Sequence, residues 1–308
     1  MKKPQISIIS PVYRAEKILP ELIRRISYVM DKSSMTYEIV LVDDRSPDNS
    51  WEVISELSKE YEVIRAIRLS KNFGQHPAIF AGLKTANGEN IIVMDCDLQD
   101  NPDEIPNLIF EIQKGFDFVL ARRNNRQDSW IKKMFSRLFS VVFSFFTKTK
   151  FDNRIANFGV YSSKMIDAIL EIPDTFKFFP LFVRLVGFKG SYIDVVHSNR
   201  YEGKSTYNFK ALLKLAFNSI ISYSSRPLKL TVILGMLISI TSFVVGIYYY
   251  VQYQLDVIKV SGFTSIIVSI WFLSGLIITI LGIVGLYVGK IFEQSKNRPV
   301  FIIDQRIK

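Results

Sequence analysis

Two long stretches near the end of this 308-residue chain carry no charge. Lys229 and Asp256 enclose 26 uncharged residues, and Lys259 and Lys290 enclose 30. About 20 apolar residues suffice for a helix to cross a bilayer, so each run is long enough to span one. A wholly soluble fold is therefore not expected, nor is a secreted one. Met1-Lys2-Lys3-Pro4, with a short apolar stretch ending at Pro11, does not make a signal peptide, so most of the chain is expected in the cytosol. Arg226 and Lys229 flank one outer end of the paired runs, and Lys290, Lys296 and Arg298 flank the other. The positive-inside rule then places both ends in the cytoplasm and the connecting loop around Asp256–Lys259 outside.

The first 120 residues follow a different rhythm. Short runs rich in Ile and Val, at Ile6–Ile9, Ile39–Val42, Val63–Leu69, Ile91–Met94 and Phe116–Leu120, read as strands. Helical stretches separate them at Lys17–Met30, Pro47–Lys59, His76–Ala86 and Pro102–Lys114. Ser46 before Pro47 and Asn101 before Pro102 read as caps followed by a first-turn proline, and Gly88 reads as a helix-ending glycine. Strand and helix alternating at this spacing predict a doubly wound, mostly parallel sheet. Such sheets bind ligands at the carboxyl ends of their strands. Four loops follow those ends: Ser10–Arg14, Asp43–Asp48, Ser70–Gln75 and Asp95–Asp100.

Composition removes several kinds of chemistry. One cysteine, Cys96, excludes an internal disulfide framework and a cysteine-rich metal site. Two histidines, His76 and His197, argue against a multi-histidine zinc centre and read as structural. Cys96 sits between two carboxylates, which disfavour a thiolate, so it is not read as a nucleophile. No GxxxxGK[ST] loop and no GxGxxG fingerprint occurs, so neither a nucleoside triphosphatase nor a nicotinamide-dependent dehydrogenase is expected. The net charge of +10 calls for anionic partners. Nucleic acid is not the expected one, because the basic residues gather near the membrane segments.

Asp95-Cys96-Asp97 follows the fourth strand. Alternate residues of an extended segment point the same way, so the two carboxylates can share a ligand. Paired hard oxygens suit Mg²⁺ or Mn²⁺, which also bind the oxygens of a diphosphate, and Gln99 offers a further oxygen. Asp43-Asp44 ends the second strand, where acidic groups can hold a ribose hydroxyl or a base edge, or simply cap and solvate the loop. Pro11-Val12-Tyr13 ends the first strand, with Tyr13 either stacking on a base or packing in the loop. Lys71 and Asn72 follow the third strand, in a nucleotide contact or an ordinary turn.

Two further stretches combine cations with apolar residues at helical spacing. In 129–150, Ile131, Met134, Phe135, Leu138, Phe139, Val142, Phe143 and Phe146 recur beside Lys132, Lys133, Arg137, Lys148 and Lys150. A basic amphipathic helix on the membrane surface is expected, with a core helix as the alternative. Tyr207–Ser225 repeats the pattern and leads into the first uncharged run. Before it, Arg200-Tyr201-Glu202-Gly203-Lys204-Ser205-Thr206-Tyr207 clusters cations, hydroxyls and a glycine, as a phosphate site or a lipid-headgroup contact requires. Arg122, Arg123 and Arg126 form a second cation cluster.

Together, Ile8-Ile9-Ser10-Pro11-Val12-Tyr13, Val42-Asp43-Asp44-Arg45-Ser46, Ser70-Lys71-Asn72-Phe73-Gly74 and Asp95-Cys96-Asp97-Leu98-Gln99-Asp100 resemble family 2 glycosyltransferases. Within that family the chain is similar to the polyprenyl-phosphate group, which includes bactoprenol glucosyltransferases and dolichol-phosphate mannose synthases. Arg200-x-x-Gly203-x-Ser205-x-Tyr207 and the paired C-terminal runs fit its bacterial members. The resemblance implies a GT-A domain over 1–206, a juxtamembrane helix over 207–228, two transmembrane helices within 229–290 and a cytosolic tail over 291–308. It also implies an inverting enzyme of the bacterial inner membrane. That enzyme would move a hexose from a nucleotide sugar, expected to be UDP-linked, to undecaprenyl phosphate. The product would donate sugar to cell-envelope glycans, and a homo-oligomer is a reasonable expectation.

The resemblance also carries roles by matched position. Pro11, Tyr13, Asn72, Asp95 and Asp43 or Asp44 would hold the nucleotide sugar. Asp95, Asp97 and Gln99 would bind Mg²⁺ or Mn²⁺ with the diphosphate. Asp97 and Arg200 would serve catalysis, and Arg122 or Arg126, with Lys204 and Ser205, would receive the lipid phosphate. Relatives often carry an acidic residue in a Gly-Asp-Phe-Arg stretch. The corresponding stretch here is Ala156-Asn157-Phe158-Gly159, so Asn157 occupies that catalytic position without a base. Relatives also often have lysine directly before the motif's tyrosine, where this chain has Thr206 and carries Lys204 instead. Two other readings remain: a catalytically silent nucleotide-sugar-binding membrane partner, and a processive polysaccharide synthase. The second is disfavoured because none of Trp51, Trp130 and Trp271 follows an arginine.

Overall fold

The computed structural model describes residues 3–124, 144–146, 155–196, 217, 220–255 and 262–308. They fall into two compact units, one of residues 1–144, 149–208 and 298–308, the other of residues 145–148 and 209–297.

The first unit is a layered α/β domain. Its early strands are β1 (Ile6–Val12), β2 (Tyr37–Asp43), β3 (Ile64–Leu69) and β4 (Asn90–Val93). The intervening helices are α1 (Leu19–Ser33), α2 (Ser50–Glu60) and α3 (Gln75–Thr85). Then follow α4 (Ile105–Ile112), β5 (Phe118–Asn124), β6 (Ile155–Ser162), α5 (Ser163–Glu171), α6 (Phe179–Leu185) and β7 (Gly190–Val196). A last strand, β8 (Ile303–Ile307), comes from the C-terminal end of the chain. The eight strands form one sheet in the order β7-β5-β6-β4-β1-β2-β3-β8. β1 to β4 are parallel, as are β5 and β7, while β6 and β8 run against their neighbours.

β1 is buried along its whole length and β2 at all but its first residue, because helices cover both faces of the sheet. Ile8 and Val12 of β1 and Leu41 of β2 join one core with Leu22 and Ile26 of α1, Ile54 of α2 and Leu108 of α4. On the opposite face α3 approaches closely. A Cβ at Gly82 would stand 2.4 Å from Ile9 Cγ2 and 3.1 Å from Val42 Cγ2. Phe80 of α3 meets Phe179 and Phe182 of α6 edge to face, and Phe179 meets Tyr161 of β6 in the same way.

Two expected caps resolve differently. Asn101 does cap, accepting from Asp103 N at 3.2 Å, but the turn it opens is a 3₁₀ segment, Pro102–Glu104, ahead of α4. Ser46 caps nothing, because α2 begins four residues later at Ser50 and the intervening chain is a loop built on Asp43. Gly88 is not a helix-ending glycine either. The helix stops at Thr85, and Gly88 is needed where the chain passes β1, since a Cβ there would lie 2.6 Å from Ser7 N.

The second unit contains two long helices, α7 (Arg226–Gln254) and α8 (Phe263–Ser295). Apolar residues cover them on all sides, with Met236, Trp271, Ile278 and Leu281 all exposed. Among the described residues, Ser269–Ser295 is long and apolar enough to cross a membrane, with a mean hydropathy of 2.2. The start of α7 is tied to residues 145 and 146. Arg226 donates to the Phe145 carbonyl, its guanidinium lies 4.6 Å from the Phe145 ring centroid, and Ser224 donates to the Phe146 carbonyl. The rest of the expected surface helix at 129–150, and most of 207–225, lie outside the described residues.

The segment expected as a tail over 291–308 has structure of its own. It begins as the last turns of α8 and ends as β8, antiparallel to β3.

Candidate active site

The sheet order reverses between β1 and β4. From β1 the chain winds outward through β2 to β3, then returns to place β4 on the other side of β1. Crevices at such switch points, outside the carboxyl ends of the strands, are where open α/β sheets bind ligands. Here the crevice is bordered by the loops after β1 and β4, which carry Tyr13 and Asp95-Cys96-Asp97.

The loop after each of the four parallel strands contains a left-handed residue. They are Arg14 (φ 56°), Arg45 (φ 54°), Gly74 (φ 97°) and Leu98 (φ 57°). Only Gly74 adopts this region freely. The other three hold a conformation that L residues adopt at some energetic expense, and such residues concentrate at functional sites. The neighbouring loops lock them in place. Ser46 N donates to Asp43 Oδ1 at 3.0 Å, and Ser46 Oγ accepts from Arg14 N at 3.2 Å. Asp44 Oδ1 and Oδ2 accept from Phe73 N at 2.7 Å and Gly74 N at 2.8 Å, joining the β2 loop to the β3 loop.

Asp43 and Asp44 are both buried. Arg68 Nε lies 3.1 Å from Asp43 Oδ2 as a charge contact, and its guanidinium stands 5.7 Å from the Trp51 ring centroid. Burial pushes the Asp44 carboxyl up to about 6, against the pull of its two backbone donors. These aspartates therefore shape the loops from below. Tyr13, by contrast, is 37 % exposed, with the Arg14 guanidinium 5.4 Å from its ring centroid. Pro11 is buried within β1, where its missing N–H costs nothing because the pairing with β4 ends at Ile9–Val93. Asn72 is exposed in the loop after β3.

The β4 loop is braced as well. Gln75 Nε2 donates to Asp95 Oδ1 at 2.7 Å, and Asp95 N donates to the buried Asp100 Oδ2 at 3.4 Å. Asp97 Oδ1 accepts from Gln99 N at 3.1 Å. Burial pushes the Cys96 thiol up to about 12, so it is no nucleophile. Among the described residues no group of three His, Cys, Asp or Glu side chains converges as a metal cage. Asp95 and Asp97 offer two hard carboxylates on one loop. That donor set fits a divalent cation whose remaining positions are filled by the oxygens of a ligand and by water.

β6 reaches the same end of the sheet. It pairs with β4 from Asn90–Ser162 to Val93–Gly159, and Asn157 stands two residues beyond that last pair, toward the carboxyl end of β4. Asn157 is half-buried, and its carbonyl accepts from Tyr161 Oη at 3.2 Å. Arg122 of β5 forms a two-pronged ion pair with Asp194 of β7, at 2.5 and 3.0 Å. Arg126, Arg200, Lys204 and Ser205 lie outside the described residues.

Sequence reasoning passed over Gln75, Asp100 and Arg68, which brace the loop aspartates. Each acts on a residue 5 to 25 positions away, so only the folded sheet brings the partners together.

Comparison with known proteins agrees with this architecture. The sequence pattern described as glycosyl transferase family 2 matches residues 7–169. An uncharacterized glycosyltransferase of Bacillus subtilis, YkcC, is 33% identical over 305 residues, covering 98% of this chain and 94% of its own length. An undecaprenyl-phosphate 4-deoxy-4-formamido-L-arabinose transferase of Proteus mirabilis is 30% identical over 304 residues, 98% of this chain and 93% of its own length. Among solved structures, glucosyl-3-phosphoglycerate synthase of Mycobacterium tuberculosis superposes with a TM-score of 0.51 at 14% identity, covering 71% of this chain and 77% of that one. That likeness concerns the fold, which is GT-A. Fold, strand-end loops and sequence agree: the chain belongs to glycosyl transferase family 2.

Proposed function

We propose that this glycosyltransferase moves a hexose from a UDP-linked donor to undecaprenyl phosphate at the cytoplasmic face of a bacterial inner membrane. One observation carries the reading: a switch-point site with two carboxylates belongs to a chain that also holds long apolar helices and then returns to the catalytic sheet. The Proteus mirabilis relative, named for transfer to undecaprenyl phosphate, supports the acceptor class.

The return constrains topology. β8 pairs with β3, so the chain leaves the catalytic domain and comes back on the same side of the membrane. It therefore crosses an even number of times. Ser269–Ser295 supplies one crossing, and α7, which holds the 26-residue uncharged run, supplies the other. Both ends of the chain then lie in the cytoplasm. Within the second unit, Arg226 and Ser224 tie the start of α7 to the carbonyls of Phe145 and Phe146.

In the reaction, Tyr13 stacks on the base and the loops shaped by Asp43 and Asp44 hold the nucleoside. Pro11 fixes the path of the β1 loop, and Asn72 faces the donor from the β3 loop. Asp95 and Asp97, with Gln99 on the same turn, would hold Mg²⁺ or Mn²⁺ beside the donor diphosphate, and the ion would supply charge neutralisation for the leaving nucleotide. Gln75 fixes the rotamer of Asp95. Arg200, Lys204 and Arg126 carry the positive charge that draws the lipid phosphate to the site, with Ser205 offering it a hydroxyl, while Arg122 is held by Asp194.

No protein base is needed. A phosphate monoester, with a second pKa of about 6, is mostly dianionic at neutral pH and is already a nucleophile. Its oxygen attacks the anomeric carbon from the face opposite the leaving diphosphate, and the configuration inverts. Asn157 is an amide where a base would stand, and it is suited to a neutral hydrogen bond with the sugar. The chain's contribution is mainly positioning and charge stabilisation.

The test uses full-length protein in detergent with undecaprenyl phosphate, Mg²⁺ or Mn²⁺, and labelled UDP-, GDP- and dTDP-hexoses. Label is expected to enter the organic phase from a UDP-hexose and to fall at least about 100-fold in Asp97→Ala. Nucleotide-sugar binding without transfer from any donor would instead favour a silent binding partner.

A further inference from the structure

Where β8 meets β3, the pairing slips. Arg68 faces Gln305, but the next residue of β3, Leu69, faces Ile303, so Asp304 is an extra residue with no partner across the ladder. A bulge of this kind re-aims a side chain, and bulges recur beside active sites. The side chain of Asp304 meets the loop after β2, where Asp304 Oδ2 is 2.6 Å from Arg45 Nη1. Arg45 is the left-handed residue that turns this loop, letting Ser46 N reach back to Asp43. Two residues earlier, the Ile302 carbonyl accepts from Ser70 N at 2.9 Å, at the start of the loop after β3. One step later, Gln305 lies across from Arg68, which braces Asp43. Ile302 and Asp304, at the far end of the chain, thus contact the two loops that Asp44 joins.

We propose that Asp304 is a positioning residue of the nucleotide site: the bulge in β8 holds Arg45, and through it the Asp43–Ser46 turn, in the nucleotide-binding geometry. The proposal rests on the reading of these loops as the nucleoside site. It also explains why an edge strand that could have been left as a tail is folded back onto the sheet. Seven residues after the end of α8, the chain is already part of the site's outer wall.

The experiment measures binding of UDP, GDP and dTDP, with Mg²⁺, by titration calorimetry on the full-length protein in detergent. Four proteins are compared with wild type: Tyr13→Ala, Asp304→Asn, Arg45→Asp, and the swapped pair Arg45→Asp with Asp304→Arg. A half-exposed ion pair sets the scale, so Asp304→Asn is expected to raise the Kd of the preferred nucleotide about threefold. KM for the nucleotide sugar rises by the same factor, while kcat, KM for the lipid and Tm stay at wild-type values. Arg45→Asp weakens binding similarly, and the swap restores it.

A general loss of stability would instead move Tm and kcat together, and the swap would not rescue; that result overturns the proposal. Unchanged nucleotide affinity in Asp304→Asn, with Tyr13→Ala weakened, overturns it while leaving the nucleotide site in place. Unchanged affinity in Tyr13→Ala as well removes the nucleotide site itself and the proposal with it.

Discussion

Asp44 is a carboxylate kept from water so that two backbone N–H groups have an acceptor. Its pKa is raised from 3.8 to about 6 by burial, so between those values the folded protein keeps a proton that the unfolded chain has released. Its contribution to stability is largest below about pH 4 and is lost as pH rises through about 6. Asp44→Asn removes the titration and leaves one acceptor oxygen for the N–H groups of Phe73 and Gly74. The variant is expected to lose about 1–3 kcal/mol at pH 7. The wild-type fall in Tm between about pH 4 and 6 should flatten in it, as thermal melts across that range would show. The Asp-Asp pair was legible in the sequence as a strand-end loop, with ligand holding or capping as its expected task. Its burial was not, because the donors that satisfy it lie about 30 residues downstream.

At the scale of elements, α3 shows what close packing requires. Its glycine lets the helix backbone lie against Ile9 and Val42, and both contacts are with branched side chains that have little room to move. Gly82→Ala is expected to cost about 1–3 kcal/mol through overpacking. A drop in Tm with donor KM unchanged would confirm a packing role; an unchanged Tm would contradict it. β1 to β4 were readable because strands buried on both faces are continuous apolar runs. β8 was not. Its sequence, Ile-Asp-Gln-Arg-Ile, is mostly exposed and lies more than 230 positions from the strand it pairs with, so no local period announces it. The Ser46 cap failed for a related reason. Serine before proline is a good helix start, but Ser46 was already engaged by Asp43 and by Arg14 across the sheet.

At the scale of the whole molecule, the proposed topology, in which the chain returns to its own sheet after an even number of crossings, can be tested without knowing the sugar. In a Cys96→Ala background, Ser261→Cys is expected to react with a membrane-impermeant maleimide in spheroplasts, whereas Lys308→Cys should react only after permeabilisation. The opposite pattern would contradict the two-crossing topology. The composition had already pointed to the membrane, through two uncharged runs of 26 and 30 residues.

The central claim is that the nucleophile is a lipid phosphate monoester needing no protein base. Phosphorus NMR of the reaction in detergent tests it most directly, with undecaprenyl phosphate, undecaprenyl diphosphate and undecaprenol offered in turn with the donor sugar. The monophosphate signal alone is expected to convert to a phosphodiester, with loss of rate as its second proton is regained below about pH 6. Transfer to undecaprenol, or equal transfer to the diphosphate, would contradict the account.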